Sequence, residues 1–297
     1  MNGAFDRREL LAASGAALLG SVMLPLLVSG QPASPAAVPV ADLPEPTDDG
    51  IDVPVLGIAF GSDEIVATPE VPAGTVRILT AVPYEDFGSV IFRIPDDQPD
   101  AIDQIWNAFA QPEPAFPDWV FEMYLPGGVR TDYRYGATAE GFIHLVPGTY
   151  AVMDFSTGQS TTFVASGEAA DPVAIPAAVE VTALDTMTYT GLENGVPAGR
   201  QLWALTNDGE MHHNIYIYGT PEGVTPDSIL EGIMSDDENA FDWYTGGLMS
   251  TQTLSPGAVQ YFYLDLQPGP HAAHCTESDG QGPPHFFMGM IVTFEVA

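Results

Sequence analysis

The sequence predicts an all-β protein built as two tandem β-sandwiches, each interrupted by one short helix. Three observations carry that expectation. The chain has 30 glycines and 27 prolines in 297 residues, with plentiful tyrosine and phenylalanine, a composition suited to short strands joined by turns. The phrase Val-Pro-Ala-Gly occurs at Val71 to Gly74 and again at Val196 to Gly199, each time feeding an apolar stretch. Behind each copy, the same order of strand-like and helix-like runs follows.

Taken in order, Met1 to Gly30 reads as an export signal or a retained anchor. Arg7-Arg8 precede Glu9-Leu10-Leu11 and an apolar run holding Leu18, Leu19, Met23, Leu26 and Leu27, and small residues allow a cut near Ser29-Gly30. The paired arginines resemble a twin-arginine signal, a route whose clients are often exported already folded. Uncleaved, the run from Leu10 to Val28 is just long enough to span a bilayer, although its glycines and Pro25 count against that use. Residues 31–50 form a linker whose Pro- and Ala-rich part, Gln31 to Pro46, stays extended or flexible.

The first repeat, residues 51–168, places a strand at Thr75 to Thr80 and another at Val90 to Phe92. A helix from Pro99 to Ala110 follows, with Ile102, Ile105, Trp106 and Phe109 on one face. The turn at Pro147-Gly148 leads into a strand, and Ser160 to Val164 closes the unit. A linker rich in Ala, Pro and acidic residues covers Gly167 to Ala178. The second repeat, 179–297, runs through strands at Arg200 to Thr206 and Ile215 to Ile217. Its helix starts at Thr225-Pro226 and carries Ile229, Leu230 and Ile233. A turn at Pro268-Gly269 and a closing strand at Ile291 to Val296 complete it.

Net charge is −33, from 40 acidic residues against 7 arginines, with no lysine. That balance excludes nucleic acid as a partner. The acids are spread along the chain, as on a solvated surface, and an electrostatically steered partner should be basic.

The only cysteine, Cys275, cannot form an intramolecular disulfide, and it rules out a lipobox anchor. Five of the six histidines lie in the second repeat with it. Laying the repeats over each other puts Gly88 opposite His213, Asp154 opposite Cys275, Met153 opposite His274 and Tyr150 opposite His271. The first repeat keeps a framework and lacks the ligands. A thiolate, two imidazoles and a thioether suit copper, because soft sulfur favours Cu(I), nitrogen suits Cu(II), and a trigonal set with a long axial Met rearranges little between them. Alone, His213 would more often be a core histidine than a ligand; in company with Cys275 and His285 it reads as a ligand. His274 and His212 flank better candidates and read as surface or interface residues, and His271 as packing.

His213-Asn214 before an apolar strand, the Pro-Gly turn, Cys275, then His285 and Gly289-Met290 resemble the cupredoxin type 1 copper signature. The run from Gly246-Gly247 through Thr251-Gln252, His274-Cys275, Pro284-His285 and Met290 is similar in particular to the copper domain of copper nitrite reductases. The resemblance implies Greek-key sandwiches and one type 1 copper per chain, held by His213, Cys275 and His285 with Met290 axial and Met288 its rival. It also implies that Asn214 pins the cysteine loop. Thr276 to Pro284 make a loop of the nitrite-reductase length. Where those enzymes carry a second histidine, five positions after the first, this chain has Tyr218, which argues against their catalytic copper. The expectation is an exported single-electron carrier, in the periplasm or at the cell surface, exchanging electrons with a basic redox protein or small donor. The alternatives are a multicopper oxidoreductase using His274, His212 or His271 for a second copper, and a metal-free cupredoxin-like surface module.

Overall fold

The computed structural model describes residues 43–61, 63–81, 89–111, 115–130, 138–155, 157–235, 249–278 and 282–297. The export segment, most of the Pro/Ala-rich linker and Gly88 lie outside them. In the first repeat the strands are β1 (Val55–Phe60), β2 (Ile65–Ala67), β3 (Glu70–Pro72), β4 (Gly74–Ala81) and β5 (Ser89–Arg93). Helix α1 (Ala101–Phe109) follows, then β6 (Val129–Arg130), β7 (Thr138–Leu145), β8 (Gly148–Asp154) and β9 (Gln159–Ser166). The second repeat has β10 (Val179–Leu184), β11 (Thr188–Thr190), β12 (Gly199–Asn207), β13 (Tyr216–Gly219), helix α2 (Pro226–Met234), β14 (Met249–Thr251), β15 (Val259–Leu266), β16 (Gly269–His274) and β17 (Ile291–Val296). The fold is all-β, as the composition and the repeated turns predict.

The repeated phrases recur for a backbone reason. Gly74 and Gly199, which end the two Val-Pro-Ala-Gly copies, have φ of 115° and 91°, and the Pro-Gly glycines Gly148 and Gly269 have 149° and 129°. Side-chain-bearing residues avoid this region, so glycine opens each of these four strands. Helix α2 starts where Thr225 accepts from the Ser228 N–H at 3.2 Å and the Ser228 hydroxyl accepts from the Thr225 N–H at 2.9 Å, with Pro226 in the first turn. Each helix covers the outer face of a sheet. Ala101 and Ile105 of α1 pack on Val90, Phe92 and Met153, while Ile229 and Ile233 of α2 pack on Tyr216, Tyr218 and Ala272.

The strands form three sheets. One runs β11-β10-β12-β15-β7-β4-β1-β2, so the two repeats contribute four strands each in mirrored order and meet at β15 and β7. The others are β3-β9-β8-β5 and β17-β16-β13-β14-β6, the latter taking its edge strand β6 from the first repeat. Most pairs are antiparallel. The parallel pairs β1 with β4, β10 with β12, and β3 with β9 arise where the chain crosses from one sheet to the other between neighbours. A continuous core joins both repeats, from Leu56, Ile78 and Tyr150 to Trp203, Phe262 and Phe294.

Chain preceding β1 straps the outer face of the shared sheet. Arg77 of β4 donates to Asp49 at 2.6 Å, to the Ile51 carbonyl at 3.1 Å and to Glu140, and stacks 4.5 Å over Phe142. Arg200 of β12 reaches Thr47 at 2.9 Å and Glu140 at 3.2 Å, so one carboxylate binds arginines of both repeats. Burial raises the Asp49 pKa, but hydrogen bonds from Arg77 and Tyr263 outweigh it and hold the carboxyl down at about 2. Among the described residues, no helix is long and apolar enough to cross a membrane.

The seam between β7 and β15 tolerates no side chain at its centre. A Cβ on Gly141 would stand 2.2 Å from the Tyr261 carbonyl oxygen and 2.9 Å from Val129. Gly141→Ala is expected to destabilise the protein by about 1–3 kcal/mol, read as a lowered urea midpoint.

Candidate metal centre

His213 precedes β13 and is fixed by an isolated bridge, its N–H donating to the Leu254 carbonyl at 3.2 Å and its carbonyl accepting from the Leu254 N–H at 2.8 Å. Cys275 stands directly after β16. His285 opens a short 3₁₀ turn, His285–Met288, which ends at Gly289 with φ of 103° before Met290 enters β17. Main-chain bonds knit these pieces together. The His285 N–H donates to Glu277 at 2.7 Å, Phe286 to Cys275 at 3.0 Å, Met290 to His285 at 3.0 Å, and Cys275 to Met290 at 3.1 Å.

The result is convergence. Cys275 Sγ lies 3.7 Å from His213 Nδ1 and 3.5 Å from His285 Nδ1, and the two Nδ1 atoms are 3.2 Å apart. Among the described residues this is the one group of three histidine, cysteine or acidic side chains close enough to hold a metal ion. A triangle with sides of 3.2, 3.5 and 3.7 Å has a circumscribed circle of radius about 2.0 Å, so a point slightly out of its plane stands about 2.1 Å from both nitrogens and about 2.3 Å from the sulfur, the ordinary metal–nitrogen and metal–thiolate lengths. The residues therefore fit an ion bound by one thiolate and two imidazoles. All three are buried, as is Met290, which shares a core cluster with Cys275. Met288 is 43% exposed, which leaves Met290 as the inward thioether.

The chemistry around these atoms favours a cation. Burial and the neighbouring Glu277 push the Cys275 thiol up to about 12, against hydrogen bonds that include the Asn214 N–H at 3.5 Å from Sγ. Burial lowers the His213 pKa and so favours the neutral imidazole that can coordinate, with Asp185 pulling the other way. His213 Nε2 lies 3.4 Å from Asp185 Oδ1, while the same carboxylate accepts from the Glu210 N–H at 2.6 Å and the Met211 N–H at 3.2 Å. Asn214 donates to Thr276 at 2.8 Å and to Glu277 at 2.7 Å, and its carbonyl oxygen accepts from the Thr276 N–H at 2.9 Å. Thr253 also donates to Glu277 at 2.7 Å. Burial brings the Glu277 carboxyl up to about 7, with Thr253 and Arg130 pulling the other way.

The other histidines stand apart from this cluster. His274 faces away from Cys275, as strand alternation requires, but it is buried and not at the surface. Helix α2 covers that face, where His274 Nδ1 lies 3.2 Å from the Tyr218 hydroxyl and its ring contacts Tyr216 and Phe286. Burial pushes its pKa down to about 3. His271 stacks on Phe294 with centroids 5.7 Å apart. His212 is half-buried, bonded to the Met123 main chain of the first repeat. Opposite Cys275 in the repeat alignment, Asp154 is buried and accepts from the Thr157 hydroxyl at 2.9 Å. Asp185, Glu277 and Thr253 are site residues that the sequence does not announce. Glu277 alone carries a hint, lying two positions after the cysteine.

An auracyanin from the photosynthetic bacterium Roseiflexus castenholzii is 23% identical, covering 40% of this chain and 94% of its own, with a TM-score of 0.29. An azurin from the obligate methylotroph Methylomonas sp. strain J is 22% identical over 40% of this chain and 95% of its own, with a TM-score of 0.27. Auracyanin A, a "blue" copper protein from the green thermophilic photosynthetic bacterium Chloroflexus aurantiacus, is 14% identical over 40% and 97%, with a TM-score of 0.29. No family model and no curated protein matches the chain.

Removing the Asn214 side chain takes one of two donors, the other being Thr253, from the buried Glu277 carboxyl and leaves the buried Thr276 N–H without its acceptor. Asn214→Ala is expected to cost about 1–3 kcal/mol in the metal-free protein, measured by chemical denaturation. A loss below the error of that measurement would show that the cysteine loop holds without it.

Proposed function

We propose that this chain is an exported copper protein that carries single electrons, with one type 1 ion held by His213, Cys275 and His285 and with Met290 as the weak axial ligand. The observation that carries the reading is the convergence of two Nδ1 atoms and one thiol sulfur on a single buried point. Copper bound there supplies a one-electron couple, Cu(II) to Cu(I), in a set both oxidation states accept.

The chain's own residues set the terms of that couple. His213 and Cys275 are anchored to rigid strands, and the His285 turn is tied back to Cys275 and Glu277, so the ligand atoms stay in place when the charge changes. The surrounding core excludes water. Asn214 fixes the loop and its N–H faces the sulfur, a contact that stabilises the more negative thiolate. Export through the paired-arginine segment and a basic or small-molecule redox partner belong to the same reading, supported by Arg7-Arg8 and by a net charge of −33.

Adding Cu(II) to the purified protein is expected to produce an intense blue thiolate-to-copper absorption at one ion per chain, and Cys275→Ser is expected to abolish it. A wild-type protein that stays colourless and takes up no copper overturns the proposal. The raised thiol pKa sets the sign of the pH dependence. The proton that Cys275 holds in the metal-free protein must leave as copper binds, so apparent affinity should rise with pH, with proton release measurable in weak buffer.

Asp185 orients His213 and places negative charge behind it. Asp185→Asn removes the charge and one of the two oxygens that accept from the Glu210 and Met211 N–H groups, while keeping the size of the side chain. Copper(II) affinity is expected to fall about 10–100-fold. Cu(I), carrying less charge, should lose less, so the reduction potential should rise. An unchanged potential would make Asp185 a loop support alone.

A further inference from the structure

The sequence leaves the purpose of the ligand-free first repeat open, and the placement of the metal centre supplies one. No ligand side chain reaches solvent: His213 and Cys275 are 0% exposed, His285 is 1% exposed, and its distal Nε2 is buried. An electron therefore crosses protein to reach the centre, and the route depends on what lies next to it.

What lies next to it is a cleft of about 500 Å³ between the repeats. One wall is the first repeat's segment Phe121–Leu125. The other is Glu210–His212, Thr253, Ser255–Pro256 and Glu277–Ser278 of the second. This second wall is attached to the ligands. His212 is the covalent neighbour of His213, Asp185 ties the Glu210 and Met211 N–H groups to the His213 ring, and the carbonyl of Glu277 accepts from the His285 N–H. His212 bonds the Met123 main chain from one wall to the other, so the cleft exists only because the first repeat is there.

The lining specifies an occupant. Glu122 and Glu210 are exposed at the cleft, and among the described residues no arginine lines it, so the site attracts positive charge. Phe121 and Tyr124 are half-buried and present aromatic surface, which favours an organic cation over a hydrated metal ion. Among the described residues, the ligating atoms of the acids and His212 do not gather as a metal would need. A cleft of this size takes a molecule and not a protein surface.

We propose, resting on the copper reading above, that this cleft binds a small aromatic cation bearing a one-electron couple, and that electrons pass between it and the copper through the Glu210–His213 and Glu277 walls. The step moves one electron. The reduced cation becomes its one-electron-oxidised form as Cu(II) becomes Cu(I), and no bond or proton changes at the metal.

The test uses the full copper-loaded protein in stopped flow at fixed ionic strength, with two probes that share a couple and differ in charge: (ferrocenylmethyl)trimethylammonium and ferrocenecarboxylate. The rate of electron exchange is expected to saturate with the cation and to rise linearly with the anion. Glu122→Arg combined with Glu210→Arg should raise the cation's half-saturation concentration at least tenfold, and Met211→Trp, which fills the cleft without changing charge, should do the same. Glu168→Arg, in the linker, should change it less than twofold. A linear rate with the cation, or equal losses in the cleft and linker variants, overturns the proposal while leaving the copper reading intact. A protein without the blue absorption fails on the copper reading first, and the retained absorption of each variant shows that its metal centre is undisturbed.

Discussion

Two strands from different repeats, β7 and β15, pair directly, and the arrangement of the whole molecule follows from that contact. Main-chain hydrogen bonding holds neighbouring strands about 4.8 Å apart, a distance with no room for a side chain aimed at the opposing carbonyl. Gly141 removes that side chain opposite Tyr261 and Phe262. With the seam closed, eight strands form one sheet, and β6 reaches far enough to pair with β14 on the other sheet of the second repeat. Two independent ladders now link the repeats, and Glu140 adds an ionic link by holding Arg77 and Arg200 together. Repeats joined through both sheets do not rock freely, which is what allows a cleft between them to keep a fixed shape beside the ligands.

The metal centre shows the opposite economy, because its groups are costly where they stand. A buried thiol, two buried imidazoles and the carboxyl of Glu277 each lose hydration, and the directions of their pKa values record it: the acids are raised and His213 is lowered. Without a metal the thiol stays protonated and contributes little electrostatic attraction. Binding a cation converts the same low-dielectric surroundings into a favourable term, since the thiolate then faces positive charge at bond distance. The Asn214, Thr253 and Glu277 bonds keep the pieces from collapsing together in the meantime.

Legibility in the sequence divides along the same line between local and distant causes. The turns and strand starts could be read because Gly74, Gly148, Gly199 and Gly269 each answer a local backbone demand. Helix α2 could be read because Thr225, Pro226 and Ser228 cap it within four residues. His213, Cys275 and His285 stood out by residue type, because one cysteine among clustered histidines has few uses. The seam, β6 and the strap from Thr47 to Ile51 depend on partners dozens of residues away and leave no periodic trace. His274 illustrates the limit well. Alternation gave the face its side chain occupies, but whether that face is covered depends on where α2 lies, and that is decided by the packing of Ile229 and Ile233 on Tyr218. Asp185 escaped notice for the same reason, lying 28 residues before the histidine it orients.

Loop length between Cys275 and His285 carries less meaning than the sequence gives it. Counted along the chain, nine residues separate the two ligands, which makes His285 look loosely determined. In the fold, the His285 N–H bonds the Glu277 carbonyl and the Phe286 N–H bonds the Cys275 carbonyl, so the excursion is closed off at its base before it begins. Ligand spacing is then set by a short antiparallel contact and by Met290, whose N–H and carbonyl bond His285 and Cys275 in turn. Loop length and metal geometry are thereby separable, and a chain can lengthen or shorten this excursion while keeping the same three atoms around the same point.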